Sequence, residues 1–329
     1  MNMNMDMDIN TITGQQVRHI LEQDGLIIIP GVLDKLECEL MFSGMWDFFE
    51  HITQQWDSPI LRSDSSTWNQ FDNLIPSNAM MYQTWNISHA QHMWDIRSKE
   101  KIVNIWAKFW DVKPIDLLAS FDGASWLVPH EFTPDYIHPE FDYWFHLDQT
   151  VHKTKLDGIQ GFVTALDVNP GDATFVYYKN SHKLIQELTQ TFGIRTDSDW
   201  YPLNQEENDF FLSKCGDPKK LLCQAGSLVI WDSRLVHCNT GPSLSRLNPN
   251  YRCVQYLSYM PKSLSDQKTI NKRIEAFGNL LTSNHYASRA TFFPTLPYEY
   301  RLNKYLIEDL ITPIKSPVLT KLGASLVGI

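Results

Sequence analysis

The feature that most constrains this sequence is a change of hydrophobic period near residue 116. From there to residue 260, short runs of β-branched and aromatic residues alternate with turn-forming residues, a pattern typical of strands in a sandwich or barrel. The runs cover residues 116–122, 142–148, 161–168, 173–178, 226–232 and 251–260. Stretches with helical period precede and follow them. The sequence therefore predicts a mainly β fold with flanking helices, whose core is a double-stranded β-helix, a cupin-like jelly roll.

The helical stretches before residue 116 carry signals that indicate where helices begin. Thr13 with Gln16, and Asp34 with Glu37, have the spacing of a capping box. A further amphipathic helix is expected near residues 98–110. The helix after Asp34 is expected to bury one apolar stripe, made of Leu36, Leu40, Met45, Phe48 and Ile52.

The chain contains no internal repeat and no linker rich in Gly, Ser or Pro, so a single domain over residues 11–329 is expected. Within it, residues 11–115 are expected to be helical, residues 116–260 to form the jelly roll, and residues 261–329 to be helical again. The first ten residues, MNMNMDMDIN, lack the basic and apolar regions of a secretory signal. We expect residues 1–10 to be a short disordered tail.

Composition excludes several classes of partner. A formal net charge of −10 argues against nucleic acid or a membrane surface, since both would require a basic face. No run of about 18 apolar residues is present, as a transmembrane helix would need. The five cysteines are an odd number without a framework spacing, as expected in a reducing, cytoplasmic setting. A small molecule is therefore the expected partner, and the oligomeric state stays open.

One strand run predicts a metal site. Because side chains alternate between the two faces of a strand, Trp144, His146 and Asp148 share a face. His146 and Asp148 can therefore bind one ion. His237, which follows the run 226–232 and a short turn, is the expected third ligand. Two histidines and one carboxylate that leave positions open are typical of non-haem Fe(II) oxygenases, whereas zinc is normally tetrahedral.

The last strand run contains a candidate anion-binding residue, Arg252. If its side chain points inward with that of Tyr256, its charge requires a bound anion, because an unpaired buried charge is costly. The alternative is an arginine at a sheet edge with its head in water. Two other arginines are rivals. Arg246 lies in a sequence typical of a loop and is expected to face solvent, and Arg234 could support the metal site or contact the co-substrate or the substrate.

These residues lie in motifs that resemble the phytanoyl-CoA dioxygenase-like family of Fe(II)- and 2-oxoglutarate-dependent oxygenases. The resemblance covers about residues 10–260 and rests on DGLIIIPGVL, SFDG, WFHLDQ, the turn NSHK and GSLVIWDSRLVHCN, in that order. The turn departs from the usual G-S-H-K. The resemblance implies that the iron ligands and catalytic centre are His146, Asp148 and His237, and that Arg252 and Asn239 bind 2-oxoglutarate.

The resemblance also implies an activity. A dioxygenase of this kind uses Fe(II), 2-oxoglutarate and O2, hydroxylates a small molecule and releases succinate and CO2. Halogenases of the family have Gly or Ala where this chain has Asp148, so hydroxylation or a related oxidation is expected. Substrate contacts are expected from Trp144, Gln149 and Asp122. The alternatives are a non-catalytic jelly-roll protein and a cupin-like metal protein that does not use 2-oxoglutarate, which usually has more histidine ligands and no inward arginine.

Overall fold

The computed structural model describes residues 8–133, 143–302 and 311–329 of the chain. Most of the expected disordered tail, residues 1–7, lies outside this part. The α-helices are α1 Gly14–Asp24, α2 Lys35–Thr53, α3 Gln91–Arg97, α4 Glu100–Trp110, α5 Ile185–Phe192, α6 Gln205–Cys215, α7 Gln267–Gly278, α8 Tyr298–Leu302 and α9 Lys321–Val327. The longest 3₁₀ segment is Ser65–Leu74.

The strands are short and lie mostly between residues 117 and 261. They are β1 Leu26–Ile29, β2 Met81–Tyr82, β3 Leu117–Ala119, β4 Ala124–Leu127, β5 His146–Leu147, β6 Ile159–Thr164, β7 Thr174–Tyr177, β8 Tyr201–Pro202, β9 Lys219–Lys220, β10 Leu228–Asp232, β11 His237–Thr240, β12 Arg252–Leu257 and β13 Tyr259–Pro261. Of the expected run 142–148, only β5 pairs as a strand, and Asp142 lies outside the described residues.

Two antiparallel sheets form the core. The larger has the strand order β1-β10-β6-β12-β4-β2, and the smaller has the order β8-β5-β11-β7-β9. The sheets face each other, because apolar side chains from both meet in one buried cluster that includes Leu26, Phe162, Phe175, Val229, Trp231 and Val254. This arrangement confirms the predicted jelly roll. Its helical flanks are extensive, with about 39% of residues in helices and about 18% in strands.

Alternation along β1 shows how the layers are built. Leu26 belongs to the cluster between the sheets, whereas Ile27 and Ile29 belong to the cluster under the helices. That second cluster joins the outer face of the larger sheet to α1, α2 and α4. Helices α5 and α6 cover the smaller sheet through a third cluster. Each sheet thus has one face toward the barrel interior and one toward helices.

The predicted starts of α1 and α2 are confirmed, but the predicted buried stripe of α2 is partly wrong. Both capping boxes are present, at Thr13 and at Asp34. Leu36 and Leu40 are 62% and 61% exposed, so their place in the buried stripe was wrong. At about 100° per residue, both lie roughly 140° or more around the helix from Met45. The buried side chains are instead Cys38, Met41, Met45, Trp46, Phe48, Phe49, Ile52 and Thr53.

The C-terminal part packs back onto the core. Arg273 of α7 is fully buried and donates to the carbonyls of Ala119 and Ala287 at 2.6 and 2.9 Å. Those bonds tie α7 and the segment after it to strand β3. The segment around residues 283–293 also packs on the core, where the Ser283 N–H donates to the carbonyl of Phe121 at 2.8 Å. Within the described ranges, no helix is both long enough and apolar enough to cross a membrane.

Candidate metal centre and its cavity

His146 and His237 are direct cross-strand partners. They face each other in the register of β5 and β11, and their ring centroids are 4.3 Å apart. In each histidine, Nδ1 donates to the carbonyl two residues earlier, Trp144 at 3.2 Å and Leu235 at 2.8 Å. A carbonyl can only accept, so Nδ1 carries the proton and Nε2 keeps its lone pair for a metal.

Asp148 completes the set just after β5. Its Oδ2 lies 3.5 Å from His146 Nε2 and 3.2 Å from His237 Nε2. Ligand atoms about 2.1 Å from one ion and at right angles to each other lie about 3 Å apart. The three residues, all buried, therefore fit a single divalent cation, with one face of its coordination sphere filled by protein.

Charge at this centre is tuned by burial and by the residues around it. Burial alone would raise the pKa of the Asp148 carboxyl, but His146, His285 and His237 together hold that pKa well below its ordinary value. Burial and the neighbouring His146 lower the pKa of His237. Both shifts favour the states that bind a metal, a carboxylate and a neutral imidazole.

Other residues orient Asp148. Gln160 Nε2 donates to its Oδ2 at 3.0 Å. The carbonyl of Asp148 accepts from Tyr286 Oη at 2.8 Å and from His285 Nε2 at 3.2 Å. Its backbone N–H donates to the carbonyl of Ser233 at 3.1 Å. Both the side chain and the backbone of this ligand are thus fixed by neighbours, as in metal sites with a developed outer shell.

The NSHK turn holds the segment that leads to His237. Ser181 Oγ accepts from the backbone N–H of Val236 at 2.9 Å. His182 Nε2 and Lys183 Nζ donate to the carbonyls of Glu22 and Gln23, at the end of α1, at 3.0 and 2.7 Å. Asn180 has φ +66°, a conformation that suits Gly or Asn. The departure from the usual G-S-H-K therefore keeps the geometry of the turn.

A cavity of about 510 Å³ opens over the three candidate metal ligands. Trp144 lines it and stacks on His146, with ring centroids 4.7 Å apart and planes 3° from parallel. Residues that the sequence analysis did not assign to a site also line it: Gln83, Gln160, Asp199, Trp200, Tyr256 and His285. Tyr256 could have been found from strand alternation, since it shares a face with Arg252. Gln160 lies in β6, one residue before the expected strand run 161–168. The others lie in turns or in distant segments with no period to mark them.

Arg252 is buried and bound only to neutral groups. It is 4% exposed and donates to Ser125 Oγ, to the carbonyl of Ala173 and to Asn239 Oδ1, at 2.8, 3.1 and 2.8 Å. Within the part of the chain that the structure describes, no carboxylate forms an ion pair with it. It is not itself a lining residue, but Asn239 is. Asn239 also donates to Tyr256 Oη at 3.2 Å, so the three form one polar group beside the cavity.

The two rival arginines have structural partners. The Arg246 side chain is 2% exposed and pairs with Glu131 at 2.5 Å and Asp172 at 3.1 Å, so the expectation that it faces solvent was wrong. Loop composition predicts exposure, but these acids come from other parts of the chain. Arg234 pairs with Asp232 at 2.6 Å and donates to the carbonyl of Thr154, which fixes the turn before His237.

The candidate substrate contacts differ in whether they line the cavity. Trp144 and Asp122 line the cavity. Gln149 is not a lining residue: its amide donates to the carbonyls of Lys153 and Lys155 and accepts from the N–H of Asp157. Those bonds use its polar atoms to shape the loop after Asp148. Of the three candidate substrate contacts, the described structure thus places Trp144 and Asp122 at the cavity and Gln149 away from it.

No model of a known protein family matches the chain. Ava biosynthesis cluster protein O of Aspergillus versicolor is 22% identical over 284 residues, which cover 83% of this chain and 86% of that protein. The crystal structure of GlcNAc Inducible Gene 2 (GIG2, DUF1479) from Candida albicans covers 96% of this chain and 80% of that chain, with a TM-score of 0.55 and 13% identity. EctD from S. alaskensis, solved with 2-oxoglutarate and 5-hydroxyectoine, covers 80% of this chain and 79% of that chain, with a TM-score of 0.49 and 11% identity. The similarity to GIG2 concerns the fold.

Proposed function

We propose that the chain is an Fe(II)- and 2-oxoglutarate-dependent dioxygenase of the phytanoyl-CoA dioxygenase-like type, which hydroxylates a small molecule. The proposal rests on two features that occur together, a candidate metal centre and a buried arginine. A buried centre of two histidines and one carboxylate lines the same cavity as Asn239, and Asn239 accepts from a buried arginine that is bound only to neutral groups in the described chain. A metal centre alone would fit many proteins, but the added arginine favours an anionic co-substrate.

Iron fits the donor set better than a structural zinc does. Zinc in structural sites takes four protein ligands, whereas His146, Asp148 and His237 supply three. Two histidines and one carboxylate on one face leave positions for a co-substrate and O2. Bound Fe(II) with 2-oxoglutarate would supply the oxidising power to hydroxylate a C–H bond, with release of succinate and CO2.

The proposed role of Arg252 is to bind the distal carboxylate of 2-oxoglutarate. A guanidinium is planar and permanently charged, so it suits a carboxylate, and burial makes that pair strong. The Arg252 side chain is already fixed by three neutral acceptors, and Asn239 links it to the cavity. Fixing the cation before binding reduces the entropy cost of binding.

The remaining residues would orient and shield the reaction. Trp144 stacks on His146 and Phe175 stacks on His237, so the ligands have aromatic neighbours on their flanks. Gln160 fixes Asp148 Oδ2. Since Asp148 fills the position that a halide would need, the proposed outcome is hydroxylation or a related oxidation rather than halogenation.

The test uses purified protein under anaerobic conditions. Addition of Fe(II) and 2-oxoglutarate should produce a visible charge-transfer band, and admission of O2 should produce succinate. His146→Ala should abolish both, and the exposed His152→Ala is the matched control that should retain both. Metal binding without the band would favour a cupin-like protein that does not use 2-oxoglutarate. Absence of metal binding would favour a non-catalytic jelly roll.

A further inference from the structure

The wall of the cavity is acidic as well as aromatic. Besides the metal ligand Asp148, two more carboxylates line it, Asp122 and Asp199. Among the lining residues that the structure describes, none is a lysine or an arginine. An anionic substrate would therefore meet carboxylates without a compensating cation, at a cost set by the low dielectric of a buried site.

Asp199 is already neutralised. Arg289 Nε lies 3.4 Å from Asp199 Oδ2, and Arg289 also pairs with Asp157 at 2.6 Å. The backbone N–H of Thr150 donates to the other oxygen of Asp199 at 3.3 Å. This carboxylate thus has a counter-charge within the protein and needs none from a ligand.

Within the described residues, the hydrogen bonds that the Asp122 carboxylate accepts come from neutral groups. It is 8% exposed, and its carboxylate accepts from the backbone N–H of Gly123 at 2.8 Å and from the Gln83 side chain. The nearby Arg97 donates instead to the backbone carbonyl of Asp122, at 2.9 Å. Burial raises the pKa of the Asp122 carboxyl to about 7, although the charge of Arg97 opposes that shift.

The backbone fixes Asp122 in this position. A side chain at Gly123 would place its Cβ 2.0 Å from the carbonyl oxygen of Tyr82, so only glycine allows the two segments to approach this closely. Gln83, the next residue after that carbonyl, contacts the Asp122 carboxylate. The close approach therefore brings an acid and an amide together at the wall of the cavity.

The proposed metal and co-substrate would not supply a charge that pairs with Asp122. A divalent iron, Asp148, doubly charged 2-oxoglutarate and Arg252 would together be neutral. Asp199 and Asp157 are balanced in the same way by Arg289 and Lys153. The charge of Arg97 offsets that of Asp122 from a distance, but the Arg97 N–H groups donate to the backbone carbonyls of Ser88 and Asp122. The carboxylate of Asp122 at the cavity wall therefore stays available for a direct hydrogen bond from a substrate. Trp200, 53% exposed, and Phe293 also line the cavity and offer aromatic surface, which suits the apolar part of a cation.

We propose that the substrate carries a cationic nitrogen, as an amine or guanidine, that pairs with the Asp122 carboxylate, and an apolar part that packs on Trp200 and Phe293. This inference rests on the proposed function for the position of the metal and co-substrate. It makes an acidic substrate, including a thioester of a phosphate-bearing carrier, a poor fit. Asp122 would act in binding and specificity, while the chemistry stays at the metal.

The test compares matched probes that differ in charge. The first series is benzylamine, benzyl alcohol and benzoate, and the second is cyclohexylamine, cyclohexanol and cyclohexanecarboxylate. Binding is measured by ligand-observed NMR, in metal-free protein and in anaerobic protein loaded with Fe(II) and 2-oxoglutarate. The amines should bind more tightly than their neutral and anionic partners. Asp122→Asn, which keeps the shape and can still accept from Gly123, should weaken amine binding by about tenfold or more, the usual effect of losing a charged hydrogen bond.

Asp197→Asn is the matched control. Its side chain is fully exposed, and the substitution removes the same charge near Asp199 but outside the cavity wall. It should leave amine binding unchanged. The inference is overturned if alcohols or carboxylates bind as well as amines, if no amine binds at millimolar concentration, or if Asp122→Asn keeps the preference for amines. The charge-transfer band reports separately on the proposed function, so a band without amine preference rejects this inference alone.

Discussion

Tyr286 Oη donates a 2.8 Å hydrogen bond to the backbone carbonyl of Asp148, a residue 138 positions earlier in the chain. His285 donates to the same oxygen at 3.2 Å. The C-terminal part of the chain therefore supports the candidate metal ligand Asp148 directly, and it does so through a segment that also lines the cavity. Removal of these hydrogen bonds should lower the affinity for a metal more than it lowers the stability of the fold.

The first prediction follows from that bond. Tyr286→Phe keeps the buried ring but removes the donor to Asp148, so the ligand should lose part of its orientation. Metal affinity should fall by about tenfold, the lower end of the effect of losing an outer-shell partner. Anaerobic titration with Fe(II), followed by intrinsic tryptophan fluorescence, measures the change. Tyr298→Phe, at a 62% exposed position, is the control. An unchanged affinity in Tyr286→Phe would show that the bond is incidental.

A second prediction concerns the oxygen of Asp148 that faces the metal. Gln160→Leu removes the donor to Asp148 Oδ2 while keeping a side chain of similar size. The carboxylate then loses a fixed orientation, and metal affinity should fall by about tenfold or more. Gln255→Leu is the comparison, because Gln255 is also buried but donates to the carbonyl of Met93. Equal loss of metal affinity in both variants would mean that buried glutamines matter only for folding.

Substitution of Arg252 and substitution of Arg246 should have different effects. Arg252→Ala should raise the 2-oxoglutarate requirement by at least about tenfold to a hundredfold, since one partner of a desolvated pair is lost at a cost of roughly 2–5 kcal/mol. Arg246→Ala should leave that requirement unchanged but lower the free energy of unfolding by roughly 3 kcal/mol, because Glu131 and Asp172 lose their partner. Succinate assays over a range of 2-oxoglutarate concentrations and urea denaturation separate the two effects. The reverse outcome would move the co-substrate to the other arginine.

The exposure of Arg246 could not be predicted from the sequence, whereas the shared face of His146 and Asp148 could. Strand alternation placed His146 and Asp148 together because the period of a strand dictates which side chains share a face. Loop composition predicted that Arg246 is exposed, yet its partners Glu131 and Asp172 lie 115 and 74 positions away. No local pattern encodes such a pairing, since the sheet topology decides which loops meet.

The same limit applies to the cavity. Trp144 and Asp122 were found because they lie next to a strand motif, and Tyr256 shares the alternation of Arg252. Asp199, Trp200 and His285 come from segments without a strand or helix period. Gln149 shows the opposite error, because a polar residue beside a metal ligand turned out to bond its own loop. Proximity in sequence predicts proximity in space better than it predicts the direction of a side chain.

The last prediction concerns the pH dependence of stability and the buried His89. Its Nε2 donates to the carbonyl of Leu281 at 2.9 Å, and its Nδ1 accepts from Trp94 Nε1 at 3.3 Å. Both ring nitrogens are therefore satisfied in the neutral form, and a proton on Nδ1 would oppose the indole N–H. Burial, with a contribution from Arg97 and Arg273, lowers the pKa of His89 from 6.5 to about 3.

A lowered histidine pKa makes the folded state less stable in acid. Above about pH 6.5 neither state binds the proton, but below it the unfolded chain binds one that folded His89 does not, so stability falls by up to about 1.4 kcal/mol per pH unit. This loss continues as the pH falls toward the folded pKa. His89→Gln removes the titrating group, so its free energy of unfolding in urea should be lower than that of the wild type at neutral pH but fall less steeply between about pH 6.5 and 4.5. The exposed His19→Gln should keep the steep wild-type slope. Parallel slopes for wild type and His89→Gln would show that this histidine gains its proton without unfolding.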